Sequence, residues 1–320
     1  MSATNKKRKA VERLPEPGGS KRWAHPTPPL DTIATTVFDN IQDMVDWGQD
    51  FRDMLLCYLD TRSKLALSET TPKCHNALRP HIHKYIYFNV HDLIENTPAD
   101  RATEILTTLR RITNVHESDF ATRPFPTRVT HIRLARDYNR PFPIGTLSDT
   151  KLTHLDLGFL FNQIFERGSL PNSLVDLSLS YTYDQAFQPG VITDTKITRF
   201  RLSDNYDAPF EIGSLPTGLT ELVLGDKYNT EFIPGVLSAT QLTKLVLGHG
   251  YDKTFAVGTL AKSLETLCLG PHYRHRFQRG VLSDTNLKRL FVGRWYGQPL
   301  EGAIPEDCEV QRIYYFQNHY

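Results

Sequence analysis

Cys74, His75, His81 and His83, close together in "CHNALRPHIH", are residue types able to bind a metal. Thiolate and imidazole suit zinc, but zinc sites hold them in paired spacings that this run lacks, so no metal is expected. In a second set, His131, His154 and Asp176 fall at matching places in successive stretches, with Asp156 two residues beyond His154. Brought onto adjoining strands, these groups could form a metal or acid–base centre, or simply a solvated face. The third feature is Gly168 in "FNQIFERGSLPNSLVDLSLS", a loop glycine before a strand, of the kind that can cradle a phosphate. No Walker loop, dinucleotide fingerprint or nucleophile elbow occurs in the strand–helix setting each requires. The sequence therefore points to no enzyme, no catalytic residue and no cofactor. Cys57, Cys74, Cys268 and Cys308 are too scattered for a disulfide framework or paired zinc knuckles.

What must position the last two sets is a repeat. Units begin at Tyr138, Phe161, Tyr183, Tyr206, Tyr228, Tyr251, Tyr273 and Tyr296, spaced alternately 23 and 22 residues, so the array has a higher period of 45. Long units carry four residues between two leucines ("SDTK", Leu147 to Leu152), and short ones three ("PNS", Leu170 to Leu174). The unit from Tyr296 is degenerate, and "FPTRVTHIRLARD" is a half-unit in front, as expected of an array that must close its ends against water.

Each unit ends in L-x-x-L-x-L. Alternation at its close points Leu177 and Leu179 inward and Asp176 and Ser178 outward. One such strand cannot hide its leucines, but stacking the next unit does so, and strands recurring in one direction must pair in parallel. The glycine of each unit (Gly145, Gly168, Gly190, Gly213, Gly235, Gly258, Gly280) reads as a tight bend. Phenylalanines three residues earlier, from Phe142 to Phe277, should stack as a second core ladder. Asn139, Asn162, Asp184, Asp207, Asn229 and Asp252 follow the first aromatic and can bond backbone in a turn. Seven recurrences make Gly168 architectural and not a phosphate cradle.

The pattern F-N-x-x-F-x-x-G-S-L-P-N-S-L-x-x-L-x-L resembles the FNIP repeat, a leucine-rich-repeat-like module of amoebae and the large viruses that infect them. The resemblance covers about residues 125 to 315. Upstream, "WGQDFRDMLLCYLDTRSKLALSETTPKCHNALRP" places Phe51, Leu55 and Leu59 on one helical face, with Leu56 beside them and Leu65 and Leu67 on the next short helix. This cluster resembles an F-box, though Trp47-Gly48 stands where that family has Leu-Pro and its later Trp is missing. The resemblance implies docking of a Skp-type adaptor of a cullin-based ubiquitin ligase through Phe51, Leu55, Leu56, Leu59, Leu65 and Leu67. The same helices read without it are a plain cap on the solenoid.

Basic and acidic side chains number 37 and 36, so the whole chain has no electrostatic bias toward nucleic acid. Residues 1–30 are the exception, with seven Lys or Arg, two Glu and five prolines. This stretch is expected to be disordered and reads either as a solvated tail or, through "KKRK", as a nuclear-import signal. No apolar run is long enough to span a membrane and no signal-peptide core is present, which predicts an intracellular protein, cytoplasmic or nuclear.

The expected fold is α+β: a basic tail (1–30), an F-box-like helical region (31–85), a bridging strand–helix unit (86–124) and an LRR-like solenoid (125–320) with about ten short parallel strands. In the bridge, Ile86, Phe88 and Val90 alternate as a strand. Thr97-Pro98 opens a helix with a buried stripe of Ile105, Leu106, Leu109 and Ile112. Three outward rows are expected on the sheet. One runs Arg133, Asp156, Ser178, Arg201, Val223, Val246, Cys268, Phe291, and its neighbour runs from His131 through Lys244 to Arg289. The third, Ala135 to Gly293, is almost all small. Val223, Val246, Cys268 and Phe291, edged by Lys244 and Arg289, form the expected apolar site for a target protein. Read as ordinary strand residues, they need no partner. The functional expectation is a substrate receptor of a cullin ligase, the alternative a scaffold whose F-box-like segment only caps the array.

Overall fold

A computed structural model describes residues 87–119 and 125–313. The tail 1–30, the helical region 31–85 and the adaptor residues Phe51, Leu55, Leu56, Leu59, Leu65 and Leu67 lie outside the described residues. The elements in order are β1 (Phe88–Asn89), α1 (Val90–Asn96), α2 (Ala99–Thr108), β2 (Arg111–Val115), β3 (His131–Leu134), β4 (His154–Asp156), β5 (Asp176–Ser178) and β6 (Arg199–Arg201). There follow β7 (Glu221–Val223), β8 (Lys244–Val246), β9 (Thr266–Cys268), β10 (Arg289–Gly293) and β11 (Glu309–Ile313). All strands join one parallel sheet in chain order. This is an LRR-like β-solenoid with two short helices near its start.

Among the described residues the sheet has eleven strands where about ten were expected. The extra one is β2. The spacing of Ile112 from Leu109 predicts helix, but α2 stops at Thr108, Leu109 is its C-cap, and the run Arg111–Val115 pairs with β3. Thr97 closes α1 instead of opening the next helix, and Val90 begins α1 instead of ending a strand. Asn89 caps α1 by accepting from the Asp92 amide at 3.2 Å. At roughly 4.8 Å per rung, eleven strands make a face about 48 Å from first to last.

The core follows the leucine code. The central residues Leu155, Leu177, Phe200, Leu222, Leu245, Leu267 and Leu290 are each at most 2 % exposed. Burying each is worth about 1.5–3 kcal/mol, and it exists only because the neighbouring unit covers it. A first aromatic ladder, Tyr138, Phe161, Tyr183, Tyr206, Tyr228, Tyr251, Tyr273 and Tyr296, keeps successive ring centroids 6.1–6.4 Å apart. The phenylalanine ladder runs beside it, with Phe142 and Phe165 stacked at 6.4 Å. Phe200 replaces the usual leucine and meets Phe187 and Phe210 edge-on.

Gly168 has φ +87°, and the matching glycines from Gly145 to Gly280 are also left-handed, as the bend requires. The extra residue of the long units builds a threonine turn. Thr150 Oγ1 donates to the Leu147 carbonyl at 2.6 Å, and Thr195, Thr240 and Thr285 repeat the bond. Two of the three short units instead carry a serine that reaches the unit before, Ser173 to the Leu152 carbonyl and Ser263 to that of Leu242, and the third has Gly218 there.

Two expectations need correction. The Asn/Asp residues bond across units and not within their own turn. Asn139 Oδ1 accepts from the Asn162 amide at 2.8 Å, and Asp207 and Asn229 do the same for Asn229 and Asp252. Stacking brings the next unit's otherwise unpaired amide within reach. The small row is also not an outer surface. Ala135, Ser180 and Ser203 are at most 2 % exposed, and a Cβ on Gly158 would lie 2.6 Å from the Ala135 carbonyl oxygen. Close backbone approach between units is what demands small residues there.

Candidate interaction surface

Two outward rows remain, and their register is set by the parallel ladder. His131, His154, Asp176, Arg199, Glu221, Lys244, Thr266 and Arg289 occupy one; Arg133, Asp156, Ser178, Arg201, Val223, Val246, Cys268 and Phe291 the other. Neighbours of opposite sign pair across strands: Arg133 with Asp156 at 2.9 Å, Arg199 with Asp176 at 2.9 Å, and Lys244 with Glu221 at 2.7 Å. Such exposed pairs contribute little stability, but they fix the direction of long side chains across the face.

His131 and His154 do come together, as a stacked pair 3.9 Å apart. Each ring is anchored by the threonine before it, with Nδ1 2.9 Å from Thr130 Oγ1 and 2.8 Å from Thr153 Oγ1. Those hydroxyls already donate to the Arg110 and Thr130 carbonyls, so each Nδ1 is the donor. His154 Nε2 then accepts from Arg199 at 3.3 Å. Burial, the second ring and Arg111 push the His131 pKa down to about 3. Burial also lowers that of His154, against the pull of Asp176. Both rings are therefore neutral near pH 7. Among the described residues no group of three His, Cys, Asp or Glu is placed to hold a metal ion. The pair is a fixed, apolar-faced feature of the surface, flanked by Tyr87 edge-on to His131 and by Arg111 and Arg133 over the Tyr87 ring.

The expected apolar stretch is narrower than its sequence suggested. Val223 is 6 % exposed and Val246 only 2 %, so both are covered although their row faces outward. In-register side chains on rungs roughly 4.8 Å apart hide each other's flanks. Cys268 and Phe291 are half-buried, and burial raises the Cys268 thiol to about 11, which keeps it protonated and unreactive. Arg289 is exposed, while Lys244 is held by Glu221. Trp295, just beyond β10, is 78 % exposed with Arg294 stacked on its ring at 4.8 Å.

The sequence reading missed a second aromatic group on the loops that follow the strands. Phe159 and Tyr181 stack in parallel at 4.8 Å, and the Arg136 guanidinium lies 4.5 Å over Phe159. Tyr181 is 45 % exposed and the adjoining Leu160 is 42 % exposed. Its only signal was two aromatics 22 residues apart at one place in successive units.

The FNIP repeat family matches residues 161–195 and 197–237. Among solved structures, a crystal structure of CroV588, described as a novel circular LRR protein, is similar with a TM-score of 0.55 and 21 % identity, over 64 % of this chain and 34 % of that one. This chain thus spans about a third of CroV588, and at that identity the likeness concerns the fold. A search of curated proteins finds no match. No helix among the described residues is long and apolar enough to cross a membrane.

Proposed function

Because this chain carries FNIP repeats wound into an LRR-like solenoid, we propose that it acts as a non-catalytic substrate receptor of a cullin-based, SCF-type ubiquitin ligase. In this reading the segment around Phe51, Leu55 and Leu59 docks a Skp-type adaptor, and the array holds a target protein. Its mechanism is tethering, which raises the effective concentration of the target at the ligase without bond chemistry by this chain. The F-box resemblance of residues 47–80 carries the adaptor half.

One structural observation supports the binding half. The inward position is leucine in nearly every unit, while the outward residue beside it runs Arg133, Asp156, Ser178, Arg201, Val223. A constant core with a variable outer row is the arrangement by which stacked repeats present a recognition surface. The alternative reading keeps the array as a protein-interaction scaffold and makes the front helices a cap.

Size-exclusion chromatography of the full chain with a purified Skp-type adaptor separates the two. Co-elution at micromolar concentration is expected of the receptor. Separate elution overturns the ligase reading and leaves the scaffold.

A further inference from the structure

The loops after the strands form a ladder of their own. The Leu160 amide donates to the Arg136 carbonyl, Thr182 to Phe159, Lys227 to Asp204 and Gly250 to Asp226. The Asn205 side chain bridges the remaining step by donating to the Tyr181 carbonyl at 3.0 Å. Arg136, Phe159, Tyr181, Asp204 and Asp226 thus occupy successive rungs.

The side chains along this edge change height abruptly. Arg136, Phe159 and Tyr181 stack as three flat groups, with the guanidinium 4.5 Å above Phe159 and the rings 4.8 Å apart within 4° of parallel. The next rung is Asp204, whose side chain ends at its carboxylate, several bonds short of the tyrosine ring's far edge. Tyr181 is 45 % exposed, and the residues on the next two rungs, Asp204 and Asp226, carry carboxylates. Asp204 is half-buried, and burial and the neighbouring Asp226 carboxylate raise its pKa, against the Asp226 amide that its carboxylate accepts and the pull of His249. Asp226 on the following rung is about half exposed and pairs with His249.

We propose that the step between Tyr181 and Asp204 is a docking site for an arginine side chain of a partner protein. This deepens the interaction reading above and rests on it. A guanidinium is planar, so it can lie against Tyr181 as Arg136 already lies against Phe159, while its N–H groups reach Asp204 and Asp226. An ammonium matches the charge but not the flat stack. The bound arginine would close the series Arg136, Phe159, Tyr181, arginine, with a cation at each end of the aromatic pair.

The test is fluorescence anisotropy of the full chain with a labelled peptide of four Gly-Arg repeats and its Gly-Lys counterpart. The arginine peptide is expected to bind about fivefold or more tighter than the lysine one. Tyr181→Ala and Tyr181→Leu should each weaken arginine binding about tenfold and remove the arginine–lysine difference. Asp204→Asn should weaken both peptides. Equal binding of the two peptides, no binding, or a Tyr181→Ala variant that binds like wild type overturns the site. None of those results touches adaptor co-elution, and loss of co-elution with intact peptide binding overturns the ligase reading alone.

Discussion

His131 and His154 stack face to face from adjacent strands, their planes within 8° of parallel. Burial is the main cost of protonating either ring; for His131 the second ring and Arg111 add to it, and for His154 Arg199 and Arg111 do so against the pull of Asp176.

Acid sensitivity follows from this pair. An unfolded chain protonates both rings as pH falls through the ordinary value of 6.5, while folded His131 waits until about 3. Between those values the unfolded state binds more protons, so stability is full above pH 6.5 and declines as pH falls. The melting temperature of wild type should drop between pH 7 and pH 4.5 more steeply than that of His131→Asn with His154→Asn. Equal slopes would show that the pair is not the source.

Two glycines should respond very differently to a methyl group. Gly213 has φ +81° with open space around its would-be Cβ, so Gly213→Ala meets only left-handed backbone strain of about 1–2 kcal/mol. At Gly225 the same methyl would fall on the Ser203 carbonyl, forcing two units apart. Gly225→Ala should cost about 3 kcal/mol or more, read from urea midpoints. A smaller loss at Gly225 than at Gly213 contradicts the close-packing account.

The hydroxyls of Tyr228 and Tyr273 are buried with no hydrogen-bond partner among the described residues, and burial pushes their pKa above the ordinary tyrosine range. Phe161 fills the same place in its own unit without a hydroxyl. Tyr228→Phe should therefore leave stability unchanged or raise it by about 1 kcal/mol, because an unpaired buried hydroxyl carries a desolvation cost. Tyr228→Ala should lose about 3–5 kcal/mol through the missing ladder rung. Destabilisation by Tyr228→Phe would show that the hydroxyl is bonded.

The parts of this molecule that were legible in sequence are those that recur locally. Gly168, Leu177 and Phe165 each answer to a constraint within one unit, and repetition announced it. Ile112 misled because its spacing from Leu109 fits a helix stripe as well as the start of β2. Val223 was correctly assigned to the outward row, yet its burial depends on what stands beside it on the next strand, which alternation cannot express. The Phe159–Tyr181 stack was invisible for the same reason: neither residue has a local pattern, and only the loop ladder brings them together. The neutrality of His131 likewise comes first from burial within the stack of units, and then from His154 across the strand and Arg111, none of which its own stretch of sequence expresses.

In the proposed receptor, the front segment captures an adaptor while the array folds independently of that contact. Co-precipitation of a purified Skp-type adaptor with wild type and with Leu55→Asp/Leu59→Asp, alongside thermal melts of both, tests it most directly. Wild type is expected to capture the adaptor and the variant is not, with the same main melting transition in both. Capture by neither chain, or a variant whose array no longer melts cooperatively, would contradict it, the latter by showing that Leu55 and Leu59 are core of the solenoid and not an interface.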